Sequence, residues 1–372
     1  MEGYFQILKD DFDFKFLVSN TKLRRLGYLK ILLSMFTDYE EYAVSSFNKK
    51  FETFAIEYEP YLLKHKNTKG IIKATKTGIS SYPYVELALN LGLIIKNSFS
   101  YQLGKNGKVY KILTNELNIQ DDNPFNLSFF DTIFFLELLL KEDYWFLYNI
   151  LEQSYSTKFN RYVDLKKNFK QVLLQSVVGI KYSNTWDDIN NSKFRAIEER
   201  INQWSENDSY MEHILMPRLN WLYDMDFLDL KKDLSFSLTN TGYLLISTMH
   251  NWNNMARHNL ISAEVYVNSF FLKIINDIYD LHKKIFNFAI DYEILEMYIN
   301  KSFDLFKTLA PNRTTFSLAA NYAKIMLFFK HSIVADENDI CYYFESKYNT
   351  KYIFKYQEQY KDGFIQKITN NG

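Results

Sequence analysis

Two separate stretches of the chain share one pattern of proline and apolar residues. Residues 83–94 read PYVELALNLGLI and residues 217–228 read PRLNWLYDMDFL, although the whole chain holds only five prolines. After one inserted residue in the second stretch, the agreement continues from 99–107 to 234–242. An internal repeat requires both copies to adopt one local structure, so it constrains the fold more than any other feature of the sequence.

Each copy predicts a helix followed by two short strands. Pro83 and Pro217 stand where a helix would begin, because the N–H that proline lacks has no partner in the first turn. Residues 90–92 end the first helix at a glycine, 96–98 form a polar turn, and 99–103 alternate apolar with polar residues as a strand does. The apolar face of the first helix has helical spacing and consists of Tyr84, Leu87, Ala88 and Leu91.

The end of each copy resembles the second half of a winged helix-turn-helix domain. That family's tail often has a helix ending near LGL, a hairpin wing, and Y-x-L-T-x-x-G. Residues 236–242 read FSLTNTG and keep the threonine, whereas 101–107 read YQLGKNG and have Gly104 there. The second copy also has Asp226 where the first has Gly92. The resemblance implies a mainly α protein with small β-hairpin wings, made of two winged-helix units plus a C-terminal helical region.

The length of 372 residues exceeds what one core usually serves, and eleven glycines are few enough to favour long helices. We expect a basic winged-helix domain at 1–116, a linker at 117–126, an acidic winged-helix domain at 127–254 and a mainly helical domain at 255–372. The end of the chain, 333–372, fits either a hairpin or a helix. Apolar periodicity predicts helices at 21–36, 38–58, 129–153 with a break near 141–143, 160–178, 193–204, a pair within 261–306, and 305–330 ending near His331.

Charge separates the two copies although 44 bases and 44 acids balance overall. Residues 61–111 hold nine lysines and a single acid, Glu86, whereas 205–240 hold three bases and seven acids. Duplex DNA is a polyanion, so the first copy suits it and the second would be repelled. We therefore expect double-stranded DNA as the partner of the first winged unit.

The resemblance assigns roles to residues of the first copy, because a recognition helix enters the major groove and the wing lies along the backbone. Serine can contact any base, and glutamate can accept a hydrogen bond from cytosine. The base-edge candidates are Ser80, Ser81, Tyr82 and Glu86. The phosphate-contact candidates are Lys73 and Lys76 before the helix and Lys96, Lys105 and Lys108 around the wing.

The other expectations concern partners and location. The acidic second unit and the C-terminal region suit a protein partner, either another copy of the chain or a larger assembly. One cysteine excludes an internal disulfide, and neither a signal peptide nor an apolar span is evident, so we expect a cytoplasmic protein without membrane contact. Neither a cofactor nor a metal is expected. Tandem winged units of this kind occur in prokaryotic regulators and in accessory subunits of phage-defence or mobile-element systems, which favours a non-enzymatic DNA-binding adaptor or regulator.

Two alternatives remain open. Asp336 followed by Glu345-Ser-Lys347 fits the acid and E-x-K pattern of restriction-type nucleases, whose carboxylates hold Mg²⁺, if 340–344 is a strand. Residues 336–339 also fit the capped start of a helix. The sequence contains no phosphate-binding loop or H-E-x-x-H motif that would indicate another enzyme class. The second alternative is a protein scaffold that binds no nucleic acid.

Overall fold

The chain folds into two compact units. The computed structural model describes residues 14–37, 40–120, 122–156, 160–183, 186–204, 208–259, 263–306, 310, 312–347, 350–357 and 362–368. One unit, here called the repeat unit, combines the described residues of 14–103 and 120–267. The other, the C-terminal unit, combines Gly104–Ile119 with the described residues of 268–368. Fourteen helices and ten short strands account for most of this described part, so the protein is mainly α, as expected.

The first repeat copy is a chain of short helices closed by a three-stranded sheet. Its antiparallel sheet has the order β1-β3-β2, with Tyr42 opposite Tyr101 and Ile94 opposite Leu103. The strand β1 between the first two helices therefore lies beside the hairpin. The elements are α1 (Gly27–Ser34), β1 (Tyr42–Ala43), α2 (Val44–Ile56), α3 (Glu59–Leu62), α4 (Tyr82–Asn90), β2 (Ile94–Lys96) and β3 (Ser100–Leu103), followed by α5 (Lys105–Glu116).

The second copy has the same element order with longer helices. A single bridge between Arg161 and Ser235 takes the place of the β1–β3 pairing. The break that the sequence predicts near 141–143 is confirmed as a kink, because Asp143 has non-helical backbone angles between two helical stretches. The elements are α6 (Phe129–Tyr155), α7 (Tyr162–Ser183), α8 (Asp188–Asn202), α9 (Asp208–Asp224), β4 (Leu228–Leu230) and β5 (Phe236–Leu238), followed by α10 (Asn240–Asn259).

The repeat extends to individual backbone hydrogen bonds. Gly92 and Asp226, which follow α4 and α9, both adopt the left-handed conformation, with φ of 63° and 65°. Asparagine and aspartate tolerate that conformation better than other residues with a side chain, which explains how Asp226 can replace glycine. Equivalent bonds are Leu93 N–H to Ala88 O at 2.9 Å and Phe227 N–H to Leu222 O at 2.8 Å, then Val44 N–H to Phe99 O and Tyr162 N–H to Leu234 O, both at 3.0 Å.

The expectation that both prolines begin a helix is correct for Pro83 and wrong for Pro217. Pro83 lies in the first turn of α4, whereas Pro217 lies inside α9, which begins at Asp208. A proline inside a helix leaves the carbonyl four residues before it without its usual donor. That carbonyl belongs to His213, and it accepts a hydrogen bond from the Ser19 hydroxyl at 2.6 Å. The segment before α1 thus satisfies the polar group that Pro217 leaves open.

Helix α9 is a central element of the repeat unit, and buried charges fix it there. The Arg218 guanidinium donates to both carboxylate oxygens of Asp143, at 2.6 and 2.7 Å, and both side chains are fully buried. Arg25 pairs with Asp224 at the C-terminal end of α9 through one amino group, and its other amino group donates to Asn220 Oδ1. Burial raises the pKa of Asp224 to about 6, although the Arg25 charge opposes that shift. The Trp221 indole, which is fully buried, donates to Leu23 O at 3.0 Å.

The C-terminal unit is built around α13, which packs against α5, α12, α14 and β10. Two helices lie within 261–306, as expected, and the helix expected at 305–330 ends at Lys330 but begins at Phe316. The described part of 333–372 contains a helix at 337–346 and a hairpin made of 352–357 and 362–367. The sheet has the antiparallel order β7-β10-β9, and β6 pairs with β8 in parallel. The elements are α11 (Ala263–Ile278), β6 (Lys284–Ile285), α12 (Phe288–Leu305), β7 (Arg313–Thr315), α13 (Phe316–Lys330), β8 (Ile333–Val334), α14 (Glu337–Ser346), β9 (Tyr352–Gln357) and β10 (Asp362–Lys367).

The two units divide the chain differently from the boundaries expected at 116, 126 and 254. Both repeat copies share one unit, and the helix that follows the first hairpin belongs to the other. The possible strand at 340–344 is wrong, because these residues lie within α14. Within the described residues, no helix combines the length and the apolar character needed to cross a bilayer.

Candidate nucleic-acid interface

A buried carboxylate holds the turn that leads into α4. Glu52, on α2, is 1% exposed and accepts hydrogen bonds from the backbone N–H groups of Thr75, Ser80 and Ser81 at 2.7, 2.7 and 3.2 Å. The Thr75 hydroxyl donates to the same carboxylate at 2.9 Å. A negative group beside the first residues of a helix is also favourable for the helix dipole. Glu52 therefore fixes the start of α4 relative to α2.

The same turn uses the hydroxyls of Ser80 and Ser81, two of the base-edge candidates. Ser80 Oγ accepts the N–H of Lys73 at 3.0 Å, and Ser81 Oγ donates to the carbonyls of Asn48 and Gly78 at 2.8 and 3.1 Å. Ser80 is 9% exposed and Ser81 is fully buried. Both side chains are occupied in holding the turn, which leaves the other two candidates as the outward-facing members of the set.

Tyr82 and Glu86 lie one helical turn apart on the outer side of α4. Tyr82 is 49% exposed and Glu86 is partly exposed. The charge of Glu86 raises the pKa of Tyr82, which indicates that the two side chains lie close together. The opposite side of α4 is held by Tyr84, whose hydroxyl accepts the N–H groups of Arg24 and Arg25 at 3.1 Å. The helix is thus anchored along one face and open along the other.

Three of the predicted phosphate-contact lysines are exposed on the segments that flank α4 in the chain. Lys73 and Lys76 are exposed on the segment before α4, and Lys96 is exposed on β2. None of the three ammonium groups forms an ion pair or a hydrogen bond with another described residue. Beside Lys96 the hairpin presents two apolar side chains to solvent, Phe99 at 86% and Ile95 at 44% exposure. The hairpin tip therefore combines positive charge with exposed apolar surface.

The expected position of Lys105 and Lys108 around the wing is wrong. Both are exposed residues in the first turn of α5, which belongs to the C-terminal unit. Lys105 forms an ion pair with Asp362 at 2.5 Å in that unit. Gly104 caps the start of this helix directly after β3 ends, so no room remains for a longer wing.

A groove lined by cations lies next to the start of α4, and the sequence reasoning did not identify it as a site. Its volume is about 590 Å³. Lys22 and Arg24 line it from the turn before α1, and Lys69 and Lys73 line it from the irregular segment before α4. The signal was present as basic residues in two separate stretches. The sequence does not distinguish these exposed residues from neighbouring basic residues that are buried in ion pairs, as Arg25 is with Asp224.

The segment that forms the groove is positioned by a close backbone approach at Gly70. This residue has a φ of 96°, and a Cβ at this position would lie 2.7 Å from the Cβ of Arg24. Further along the same segment, Ile72 N–H donates to the Tyr28 hydroxyl at 3.1 Å. Only glycine accommodates both the backbone conformation and the contact, so the two walls of the groove meet at a fixed point.

The second copy differs from the first in charge and in what its helix contacts. The inner face of α9 is occupied by residues 17–26 of the same chain, through contacts such as Trp221 with Leu23. Its hairpin carries exposed carboxylates at Asp226, Asp229 and Asp233. The acidic hairpin therefore repels a polyanion. Helix α9 is buried on its inner face by residues 17–26.

The nuclease candidates lie at opposite ends of α14. Asp336 precedes the helix and is 1% exposed, while Glu345 is exposed near its end, followed by Lys347. This helical interval spans about 13 Å, too far for the two carboxylates to share one ion. Asp336 instead accepts the N–H of Leu272 at 2.9 Å, and burial raises its pKa to about 7. Among the described residues, no group of His, Cys, Asp and Glu side chains is placed to hold a metal ion.

Comparison of this chain with known protein families, with curated proteins and with solved structures gave no match.

Proposed function

We propose that the chain is a non-enzymatic DNA-binding adaptor or regulator whose first repeat copy binds duplex DNA. The observation that carries this proposal is the set of exposed cations on the segments that flank α4, which form no ion pair with a described residue. The order of helices, the short strand β1 beside the hairpin and the sheet order β1-β3-β2 support a winged-helix geometry for this copy. In that geometry α4 enters the major groove, and the hairpin lies along the backbone.

Each side chain has a role in this proposal. Lys73, Lys76 and Lys96 contact phosphates, and they need no rearrangement because no described carboxylate holds them. Tyr82 and Glu86 reach base edges from the outer side of α4. Glu86 accepts from cytosine, so it contributes sequence preference rather than affinity.

The second copy and the C-terminal unit supply protein contacts in the proposal. The acidic hairpin of the second copy suits a basic partner surface, either on another copy of the chain or on a larger assembly. An adaptor of this kind fits a cytoplasmic accessory subunit of a prokaryotic phage-defence or mobile-element complex. One DNA-reading face and one protein-binding face on the same chain would bring such a complex to its target.

A salt series with a matched pair of variants tests the duplex proposal. Binding of a labelled duplex is followed by fluorescence anisotropy as the salt concentration rises. Each phosphate contact contributes about 0.9 to the slope of log affinity against log salt, so Lys76→Gln/Lys96→Gln should lower the slope by about 2. The control, Lys231→Gln/Lys232→Gln, removes two exposed lysines from the acidic second hairpin and should leave the slope unchanged. Binding that ignores salt, or equal losses in both variants, would contradict the proposal and favour a scaffold without nucleic acid.

A further inference from the structure

The groove beside α4 concentrates positive charge in a space suited to one small ligand. Its volume of about 590 Å³ lies within the usual range of small-molecule sites. Four of its lining residues are cations, Lys22, Arg24, Lys69 and Lys73, and none of the described residues that line it is acidic. A charge of this density without a partner indicates an anionic ligand.

The cations are free to bind. The Arg24 Nε donates to Thr21 O at 2.8 Å, which orients the guanidinium, while its two terminal amino groups bond to no described residue. Lys69 and Lys73 are exposed and form no ion pair with a described residue. Lys22 makes only a long contact, 3.4 Å, with Ile79 O. An oriented guanidinium beside three lysines matches the oxygens of a phosphate group.

The charge favours a terminal phosphate over the backbone of a duplex. A phosphodiester carries one negative charge, whereas a phosphate monoester carries about 1.5 to 2 at neutral pH and a diphosphate carries more. Four cations around one small volume are better matched by the more highly charged group. The partly exposed Ile71 lines the same groove and suits the uncharged part of such a ligand.

We infer that this groove binds a terminal phosphate group, carried either by a free nucleotide or by the phosphorylated end of a nucleic-acid strand. The inference goes beyond duplex binding, for which Lys76 and Lys96 lie outside the groove; Lys73 is the one cation that lines the groove and is also assigned to the duplex. It gives the chain a second ligand next to its DNA-reading helix.

The experiment uses the full chain and two kinds of probe. Calorimetric titration with pyrophosphate and with ADP tests the free ligands. Anisotropy with a short single strand, bearing either a 5′ phosphate or a 5′ hydroxyl, tests the strand end. Lys22→Gln/Lys69→Gln should weaken pyrophosphate and ADP at least tenfold, and Arg24→Lys should give a smaller loss because it keeps the charge and loses the two-pronged geometry. The control is again Lys231→Gln/Lys232→Gln, with equal binding to the unmodified chain expected.

The outcomes separate the sources and the two proposals. A tenfold preference for the phosphorylated strand supports a strand end, and ADP binding without that preference supports a free nucleotide. Failure of pyrophosphate, ADP and the 5′ phosphate to bind overturns the inference. Loss of duplex affinity alone in Lys22→Gln/Lys69→Gln also overturns it, because the groove would then be part of the duplex surface. The duplex proposal is judged separately, on Lys76→Gln/Lys96→Gln.

Discussion

Replacing Glu52 by alanine should release the turn before α4 while leaving the hydrophobic core intact. The substitution removes the acceptor for the N–H groups of Ser80, Ser81 and Thr75 and for the Thr75 hydroxyl. Ser80 and Ser81 are buried, so their N–H groups do not readily turn to water. Thr75 is only partly buried and can be solvated.

The size of the effect follows from the two buried donors. Each buried donor without an acceptor costs about 1–3 kcal/mol, which gives a loss of about 4 kcal/mol in the free energy of unfolding. For a domain of this size, each kcal/mol lowers Tm by about 2–4 °C, so Tm should fall by about 8–16 °C. The control is Glu57→Ala, which removes an exposed carboxylate at the end of the same helix and should change stability by less than about 0.5 kcal/mol.

Hydrogen exchange followed by mass spectrometry locates the change. Exchange of the Ser80 and Ser81 amides should speed up far more than that of the amides in α9, because the loss is local to the turn. Urea unfolding gives the free energy. Unchanged exchange in the turn, or a loss no larger than that of Glu57→Ala, would refute the idea that this carboxylate fixes the start of α4.

Three further predictions concern the packing and the buried charges. Gly242→Ala places a Cβ 2.1 Å from Phe227 O and should lower the free energy of unfolding in urea by about 2–3 kcal/mol. The control, Gly179→Ala in α7, has open space around the new Cβ and should raise it by about 0.5–1 kcal/mol. The reverse order of stability would contradict the close approach at Gly242. The pKa of Asp336 is raised to about 7, so the folded state holds a proton that the unfolded state releases, and the unmodified chain should lose stability as pH rises from about 4 to about 7. Asp336→Asn removes that dependence, so its free energy of unfolding should rise above that of the unmodified chain by up to about 4 kcal/mol as pH increases from 4 to 8. Parallel pH profiles of the two chains would disprove the raised pKa of Asp336. Arg218→Met should lower the free energy of unfolding by about 3–5 kcal/mol, because it leaves Asp143 charged and buried. Adding Asp143→Asn should recover about half of that loss. A double-mutant cycle without coupling between the two positions would rule this out.

Local patterns along the chain predicted most of the elements. The repeat located both helix-and-hairpin segments, because the positions that must be apolar or left-handed are the same in each copy. Pro217 led to a wrong prediction of where α9 begins. The donor for the carbonyl that this proline leaves open is Ser19, which lies near the other end of the repeat unit's sequence. The break near 141–143 appeared as a polar interruption, but Arg218, the buried partner of the kink residue Asp143, is distant in sequence.

The candidate site was predicted in part for the same reason. Lys73, Lys76 and Lys96 stood out because they belong to a dense basic stretch, and they are exposed. Lys105 belongs to the same stretch and yet lies in the other compact unit, which a charge count along the sequence cannot reveal. Glu52 escaped notice because its four hydrogen-bond donors belong to a segment that lies beyond α3 in the chain.

The assignment of α5 to the C-terminal unit has a consequence for biosynthesis. The whole segment 120–267 separates this helix from the rest of its unit. At about 5–20 residues per second, the ribosome needs about 7–30 s to bridge that interval. During this time α13, against which α5 packs, has not been synthesised, and Val109 and Leu113, which are buried in the finished protein, lack this partner. The nascent chain therefore passes through a stage at which it could attract chaperones, and completion of the segment after 267 decides when that stage ends.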